Sequence, residues 1–144
     1  YFALYREYGR RKYRARGRRL CRVLRRWTEQ GGTNVKPFFL HLDAERLSLL
    51  ADKSDAMEAY ERAYAIVTET ESVLYEAICY EHAALAFEED YPEVARGNMQ
   101  KSRDLWKNWG AHGKATMLES RYSRFFDDEL EPDGTRTTPD EVCI

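Results

Sequence analysis

The chain has 144 residues, which suits one domain with a modest core, and its 33% of charged residues with few glycines and prolines is typical of a helix-rich protein. No apolar run approaches the roughly 18 residues of a membrane span, which argues against an integral membrane protein. The net charge of −2 hides an asymmetry, because residues 1–27 hold 11 of the 23 Lys and Arg but only one acid, Glu7.

The three cysteines, Cys21, Cys79 and Cys143, are far apart and match no metal or redox spacing. They predict reduced thiols in a cytoplasmic protein. The first residue is Tyr1 rather than Met, from which we expect a fragment, a processed chain or an incomplete gene model, with a free-standing adaptor as the alternative.

The first predicted element is one basic helix over residues 3–28. Spacings of seven, four and three residues predict that Tyr13, Leu20, Leu24 and Trp27 line its inward face. Gly31 and Gly32 are expected to end it. Residues 1–30 are therefore predicted to form an arginine-rich helical region distinct from the remainder of the chain.

Two helices are predicted next, over residues 37–51 and 55–69. Pro37 suits the first turn of the former, and Ser54 is the predicted N-cap of the latter. The inward positions are predicted to be Phe38, Leu42, Glu45 and Leu49 in the first, and Ala56, Tyr60, Ala63 and Val67 in the second.

Three more helices are predicted over residues 72–89, 92–108 and 111–127. Their expected inward positions are Leu74, Ala77, Ile78, Glu81, Ala84 and Leu85, then Ala95, Met99, Ser102 and Trp106, then Met117, Leu118, Tyr122 and Phe125. Residues 128–144 show no period and contain two prolines, which predicts a disordered acidic and polar tail.

The predicted hairpins repeat at offsets of 36 and 39 residues, so that Glu45 corresponds to Glu81 and Ala56 to Ala95. The pattern Ala-x3-large-x2-small is similar to the second helix of a tetratricopeptide (TPR) repeat, although the first helix lacks that repeat's Trp and Gly. The predicted fold class is all-α, with antiparallel helical hairpins over residues 31–127 stacked as a short TPR-like α-α superhelix.

The stretch WGAHGKAT, residues 109–116, resembles a phosphate-binding loop only superficially. Such a loop needs four residues between its glycines and a hydroxyl directly after its lysine, whereas Gly110 and Gly113 have two residues between them and Ala115 follows Lys114. We expect a helix corner instead, with Gly110 just beyond the helix end and Trp106 and Trp109 packed around it.

Other side chains indicate no catalytic constellation. His41, His82 and His112 lie on or near different predicted helices and outside any paired-ligand motif, so surface or boundary histidines are expected, although a shared metal is conceivable in three dimensions. Glu45 and Glu81 lie on apolar stripes. Acid–base chemistry is one interpretation, and a bond to a neighbouring Tyr, Arg or helix end is the favoured one.

The basic segment has three interpretations. It docks on the acidic remainder of the chain, it binds RNA or DNA through phosphate contacts and interleaved tyrosines, or it lies on anionic lipid. Of the three, docking of the basic segment on the acidic remainder of the chain is favoured. The candidate anion-binding residues are Arg11, Arg14, Arg18, Arg22 and Arg25.

The run WGA-x2-K-x3-LE-x2-Y occupies residues 109–122. With this run as the most specific match, residues 25–125 resemble the helical region that follows the AAA-type predicted ATPase module of very large signalling proteins. The repeat, corner and resemblance positions are Trp27, Glu45, Ala56, Tyr60, Ala63, Glu81, Phe87, Ala95, Trp106, Trp109, Gly110, Lys114, Leu118, Glu119 and Tyr122.

The resemblance implies a non-enzymatic scaffold with no cofactor or metal, because the catalytic modules of those proteins (Ser/Thr kinase, sensor histidine kinase or guanylate cyclase) lie outside these residues. Its partners would be proteins or other modules of the parent chain. The alternative function is a nucleic-acid-binding helical module that uses the arginine-rich helix.

Overall fold

A computed structural model describes residues 1–50 and 53–127. Within these ranges the chain forms seven α-helices and two short 3-10 helices, and no β-strand. The predicted all-α class is confirmed. The predicted disordered tail, residues 128–144, lies outside the described residues.

The basic region is a helical hairpin rather than the single helix predicted over residues 3–28. Helix α1 spans Phe2–Tyr8 and α2 spans Arg11–Glu29. The break comes at Gly9, whose φ of +63° places it in the left-handed region that favours glycine, and whose N–H bonds the carbonyl of Tyr5. The sequence prediction missed it because the arginine pattern continues across the break.

Helix α1 is held against α2 by Phe2, which is 1% exposed. Its ring lies over Gly17, where an added Cβ would come within 2.5 Å of a ring carbon. Only glycine leaves room for this approach without a shift of the ring. The hairpin therefore depends on one glycine at the turn and another at the helix contact.

The next two helices are α3, Lys36–Leu47, and α4, Ser54–Glu69. Pro37 lies in the first turn of α3 as predicted, but α3 ends four residues before the predicted boundary. Lys53, not Ser54, is the N-cap of α4, and Ser54 is its first helical residue. A 3-10 helix, Thr33–Val35, joins α2 to α3 after Gly31, which has a φ of +92°.

The last three helices are α5, Val73–Phe87, α6, Pro92–Asn108, and α7, His112–Arg121. The bounds of α6 match the prediction. Helix α7 is shorter than predicted, because the chain tightens into a 3-10 helix, Ser123–Phe125, before residue 127. Every helix contacts the next one along the chain.

The predicted inward positions of α4 and α6 are all buried, whereas those of α2, α3, α5 and α7 need correction. Helix α5 is buried on several sides by small residues, so the narrow predicted stripe does not describe it. The predicted inward residues that are exposed are Leu20, Trp27, Phe38, Leu74 and Met117.

Small side chains dominate the centre of the molecule. The buried alanines of the core cluster are Ala44, Ala56, Ala59, Ala63, Ala77, Ala83, Ala84, Ala86, Ala95 and Ala115. Alanine at a helix contact lets two backbones approach closely, and the larger Tyr60, Phe87, Met99 and Trp106 fill the remaining space. Among the described residues, no helix combines the length and apolar character needed to cross a membrane.

Candidate functional site

Helix α2 presents three different sides, and the sequence spacing decides which residues share each one. The side against the core contains Gly17 and Cys21, both buried. The inward face predicted from the sequence is wrong, because two of its residues, Leu20 and Trp27, are 45% and 51% exposed. The two flanking sides are chemically distinct and both face outward.

One flank carries the five arginines named from the sequence, which recur at spacings of three and four residues. They are Arg11, Arg14, Arg18, Arg22 and Arg25. Arg18, Arg22 and Arg25 line an open cavity of about 470 Å³ together with Arg46 of α3. Four guanidinium groups around one opening favour an anion there.

Asp43 of α3 partly neutralises this flank. Its carboxylate accepts bonds from Arg46 at 2.8 Å and lies 3.6 Å from Arg25. The Cys21 thiol also contacts it, 3.6 Å away. Burial and the charge of Asp43 raise the pKa of Cys21, so this thiol is not activated as a nucleophile.

The other flank of α2 is apolar. Leu20, Val23 and Trp27 follow one another at spacings of three and four residues and are 45%, 36% and 51% exposed. Arg16 and Arg19 lie beside them on the helix surface. We call Leu20, Val23 and Trp27 the apolar stripe of α2.

The tyrosines between the arginines serve mainly to hold α1 on α2. Tyr1 stacks on Tyr13 with ring centroids 6.5 Å apart, and Tyr8 contacts the same ring. Arg14 lies over the ring of Tyr5. The hypothesis of nucleic-acid binding requires tyrosine rings that can stack on bases, and rings that pack against each other are less available for this.

A second feature is a polar cluster inside the fold, centred on Glu45 of α3. Its carboxylate accepts a hydrogen bond from Arg6 of α1 at 2.6 Å and another from the hydroxyl of Tyr60 of α4. Burial alone would raise the pKa of Glu45, but the charge and hydrogen bond of Arg6 together with the nearby His82 and His41 outweigh burial and lower that pKa to about 2. Glu45 is therefore an ionised carboxylate with the Tyr and Arg partners expected from the sequence.

Arg6 is incompletely bonded in this position. Its Nη2 donates to both Glu45 and Ser48, the latter at 3.0 Å. Its Nε and Nη1 are buried, and no described residue accepts a hydrogen bond from them. Arg6 thus ties α1 to α3 through a buried ion pair whose desolvation is only partly compensated.

Two of the three histidines meet next to Glu45. His41 Nε2 of α3 lies 3.2 Å from His82 Nδ1 of α5, and His41 Nδ1 lies 3.2 Å from the Tyr75 hydroxyl. His41 is only 6% exposed, so its predicted surface or boundary position is wrong. Burial, and then the neighbouring His82, lower the pKa of His41 to about 4. Its imidazole is neutral at pH 7.

The sequence placed these histidines on separate helices and could not show that they meet. The available signal was the four-residue spacing of His41 and Glu45, which puts both on one face of a helix. His82 follows Glu81, the predicted repeat counterpart of Glu45, and stacking of the predicted repeats would place His82 near Glu45. The three side chains line a cavity of about 290 Å³ with mainly apolar walls.

The predicted helix corner has internal partners for its polar residues. Gly110 has a φ of +86° and directly follows Trp109, the C-cap of α6. Lys114 pairs with Glu81 at 2.9 Å and lies over the ring of Trp106. These contacts hold α5, α6 and α7 together. Because the Lys114 ammonium is paired with the Glu81 carboxylate, it is not free to bind a phosphate.

Two further predictions at the corner have mixed outcomes. Trp106 is buried, but Trp109 is 54% exposed although its ring contacts that of Trp106. Glu119 of α7 accepts a bond from Lys107 of α6 at 2.7 Å.

The acid–base interpretation of Glu45 and Glu81 is not supported by their contacts. Glu45 pairs with Arg6 and Glu81 with Lys114, so the two glutamates do not form a pair of catalytic carboxylates.

The remaining sequence-named positions divide by burial. Those inside the fold are Ala56, Tyr60, Ala63, Phe87, Ala95 and Leu118, and Tyr122 is half-buried. Trp27 and His112 are exposed. Comparison with models of protein families, with curated proteins and with solved structures finds no match to this chain.

Proposed function

We propose that this protein is a non-catalytic helical scaffold of a signal-transduction ATPase, whose hairpins stack as a TPR-like superhelix and which binds a protein or another module of its parent chain. The observation that carries the binding role is the apolar stripe of α2, whereas the parent ATPase rests on the resemblance of residues 25–125 alone. Leu20, Val23 and Trp27 lie exposed beside arginines, on a different side of α2 from the buried Gly17 and Cys21.

The stripe favours an acidic amphipathic helix as the occupant. Complete burial of a side chain such as Leu20 or Val23 contributes roughly 1.5–3 kcal/mol, so this face gains free energy when another apolar surface covers it. The arginines beside it complement acidic residues at the rim of the partner. A helix with one apolar and one acidic face satisfies both requirements.

A binding titration tests this occupant. The probe is a labelled peptide of about three heptads with leucine at the a and d positions and glutamate elsewhere, and the control peptide has the same composition in scrambled order. We expect Leu20→Gln together with Val23→Gln to weaken binding by about tenfold or more. The matched control is Val94→Gln, which replaces an exposed apolar residue of α6.

Three results would count against the occupant. They are equal binding of the scrambled peptide, an undiminished affinity of the doubly substituted chain, and binding of anionic vesicles or nucleic acid without binding of the peptide. The first indicates charge attraction alone, and the last assigns the surface to a different class of partner.

The second candidate function is nucleic-acid binding, and the arginine flank specifically favours it. Arg18, Arg22 and Arg25 converge with Arg46 on one cavity, which suits a phosphate group. A protein partner is preferred over nucleic acid because Asp43 already neutralises part of this flank and Tyr1 and Tyr8 contact Tyr13.

A salt titration with poly(U) separates the two functions. Nucleic-acid binding predicts an affinity that falls steeply with salt, by a log–log slope of about −0.7 for each phosphate neutralised. Alanine at the five flank arginines should abolish it. If the chain with these five substitutions binds poly(U) as tightly as the wild type, the arginine flank is not a nucleic-acid site.

A further inference from the structure

His41, Glu45 and His82 are arranged as a set of metal ligands. One ligand atom from each lies within 4.8 Å of the other two. The two imidazole nitrogens, His41 Nε2 and His82 Nδ1, are 3.2 Å apart. Two nitrogens bound to one tetrahedral zinc ion at about 2.0–2.1 Å are separated by about 3.3–3.4 Å, so the observed spacing already matches an edge of that tetrahedron.

We propose that His41, Glu45 and His82 bind one divalent transition-metal ion of the Zn²⁺ class. Two imidazoles and one carboxylate suit Zn²⁺ better than Mg²⁺ or Ca²⁺, which prefer oxygen ligands alone. The fourth position of a tetrahedral ion opens on the cavity of about 290 Å³ that these residues line, where it holds water or a donor atom of a small ligand.

The surroundings of His41 support this assignment. Metal-bound histidines usually donate their second ring N–H to a neighbouring acceptor, which fixes the tautomer and the ring plane. Tyr75 lies 3.2 Å from His41 Nδ1 and provides that acceptor, which leaves the Nε2 lone pair for the metal. Tyr75 is a positioning residue here.

Glu45 retains the capacity for a metal bond. An ionised carboxylate offers about four acceptor sites, and Arg6 and Tyr60 take two of them, both on Oε1. Arg6 nevertheless acts against the metal, because its positive charge lies beside the same carboxylate. A substitution that removes this charge should therefore strengthen metal binding, which a purely structural role of the cluster does not predict.

Cobalt titration of the 144-residue chain provides the test, with Co²⁺ as a coloured substitute for Zn²⁺. We expect one equivalent to bind with the visible absorption of a tetrahedral ion, and Zn²⁺ to displace it. His82→Gln should lower the affinity by at least about tenfold, as should Tyr75→Phe, which leaves the ligands in place. Arg6→Gln should raise it. His112→Gln, an exposed histidine outside the cluster, should leave it unchanged.

Several outcomes would overturn the proposal. One is the absence of Co²⁺ binding by a wild-type chain whose circular dichroism shows it folded. Another is an equal loss of affinity in His82→Gln and His112→Gln. A third is a thiolate-to-cobalt charge-transfer band, which would assign the metal to cysteines instead. An Arg6→Gln chain that binds Co²⁺ more weakly than the wild type would contradict the predicted competition between Arg6 and the metal for Glu45.

Discussion

Glu45 shows how one side chain links three helices. It accepts hydrogen bonds from Arg6 on α1 and Tyr60 on α4, and it lies one turn after His41 on α3. A buried carboxylate is costly unless it is paired and hydrogen-bonded. The position of α1 relative to the rest of the molecule therefore depends on one ionised group in the core.

Removal of the Tyr60 hydroxyl should destabilise the protein. Tyr60→Phe keeps the ring but deletes a buried hydrogen bond to a charged acceptor, which typically contributes about 1.5–3 kcal/mol. We expect a loss of that size in the free energy of unfolding, measured by urea denaturation. Tyr122→Phe is the control, since no described residue bonds its hydroxyl, and it should change stability by less than about 0.5 kcal/mol. Equal effects would contradict the assigned bond.

Acidification should destabilise the metal-free protein through His41. Burial lowers its pKa from 6.5 to about 4, so the unfolded chain takes up this proton first as the pH falls. The contribution of His41 to the free energy of unfolding is therefore full above about pH 6.5. It declines between about pH 6.5 and pH 4, by an amount on the order of 3 kcal/mol. The ionisable or charged groups that face His41 are Arg6, Glu45, Tyr60, Tyr75 and His82.

Urea midpoints in EDTA at about pH 7.5 and about pH 5 measure this effect. Glu45 affects the pH dependence of stability mainly below about pH 4.5, because its pKa is lowered to about 2. A comparison made above pH 4.5 therefore reports on His41. The His41→Gln chain should show a smaller difference between the two midpoints. A difference as large as that of the wild type would assign the pH dependence to other groups.

Sequence reasoning at this scale identified residue types but not distances. It expected Tyr or Arg partners for Glu45, and the structure provides one of each. It could not expect Arg6 in particular, because the break at Gly9 that brings α1 back along α2 depends on a single backbone conformation. The contact of His41 with His82 depends likewise on how α3 and α5 lie together.

At the scale of elements, the arginine-rich region is a hairpin whose α2 has one docked and two exposed sides. Leu20 and Trp27 of the apolar stripe were assigned to the core because they share a helical period with Leu24. Gly17 and Cys21 have the same period and are the residues that α2 buries, against Phe2 of α1 and Asp43 of α3. Small residues were the better signal, since they allow α1 and α3 to approach α2.

The contact of Phe2 with Gly17 predicts opposite effects of two Gly→Ala changes. Gly17→Ala places a Cβ within 2.5 Å of the Phe2 ring and should loosen α1. Gly97→Ala, in α6 with open space around it, should stabilise the protein by about 0.5–1 kcal/mol through helix propensity. Urea denaturation measures both, and amide hydrogen exchange of residues 2–8 reports on α1. Unchanged exchange of α1 in Gly17→Ala would contradict the contact.

For the whole molecule, helical periodicity and turn residues predicted the all-α class and the bounds of α6. They did so because α4 and α6 each bury a single stripe with a clear period. Helix α5 is buried on several sides and has no such stripe, so its inward face was predicted less well. The apolar stripe of α2 and the His41 cluster arise from packing between helices, which no local pattern encodes.

Trp27 fluorescence tests the proposed protein contact most directly. In a Trp109→Phe chain, Trp27 is the exposed tryptophan of the described residues, and Trp106 is buried. Docking of the acidic amphipathic peptide on the apolar stripe predicts a saturable blue shift of the emission, since the indole leaves water. No shift at saturating peptide, or the same shift in a chain that keeps Trp109 and carries Trp27→Phe, would contradict α2 as the partner surface.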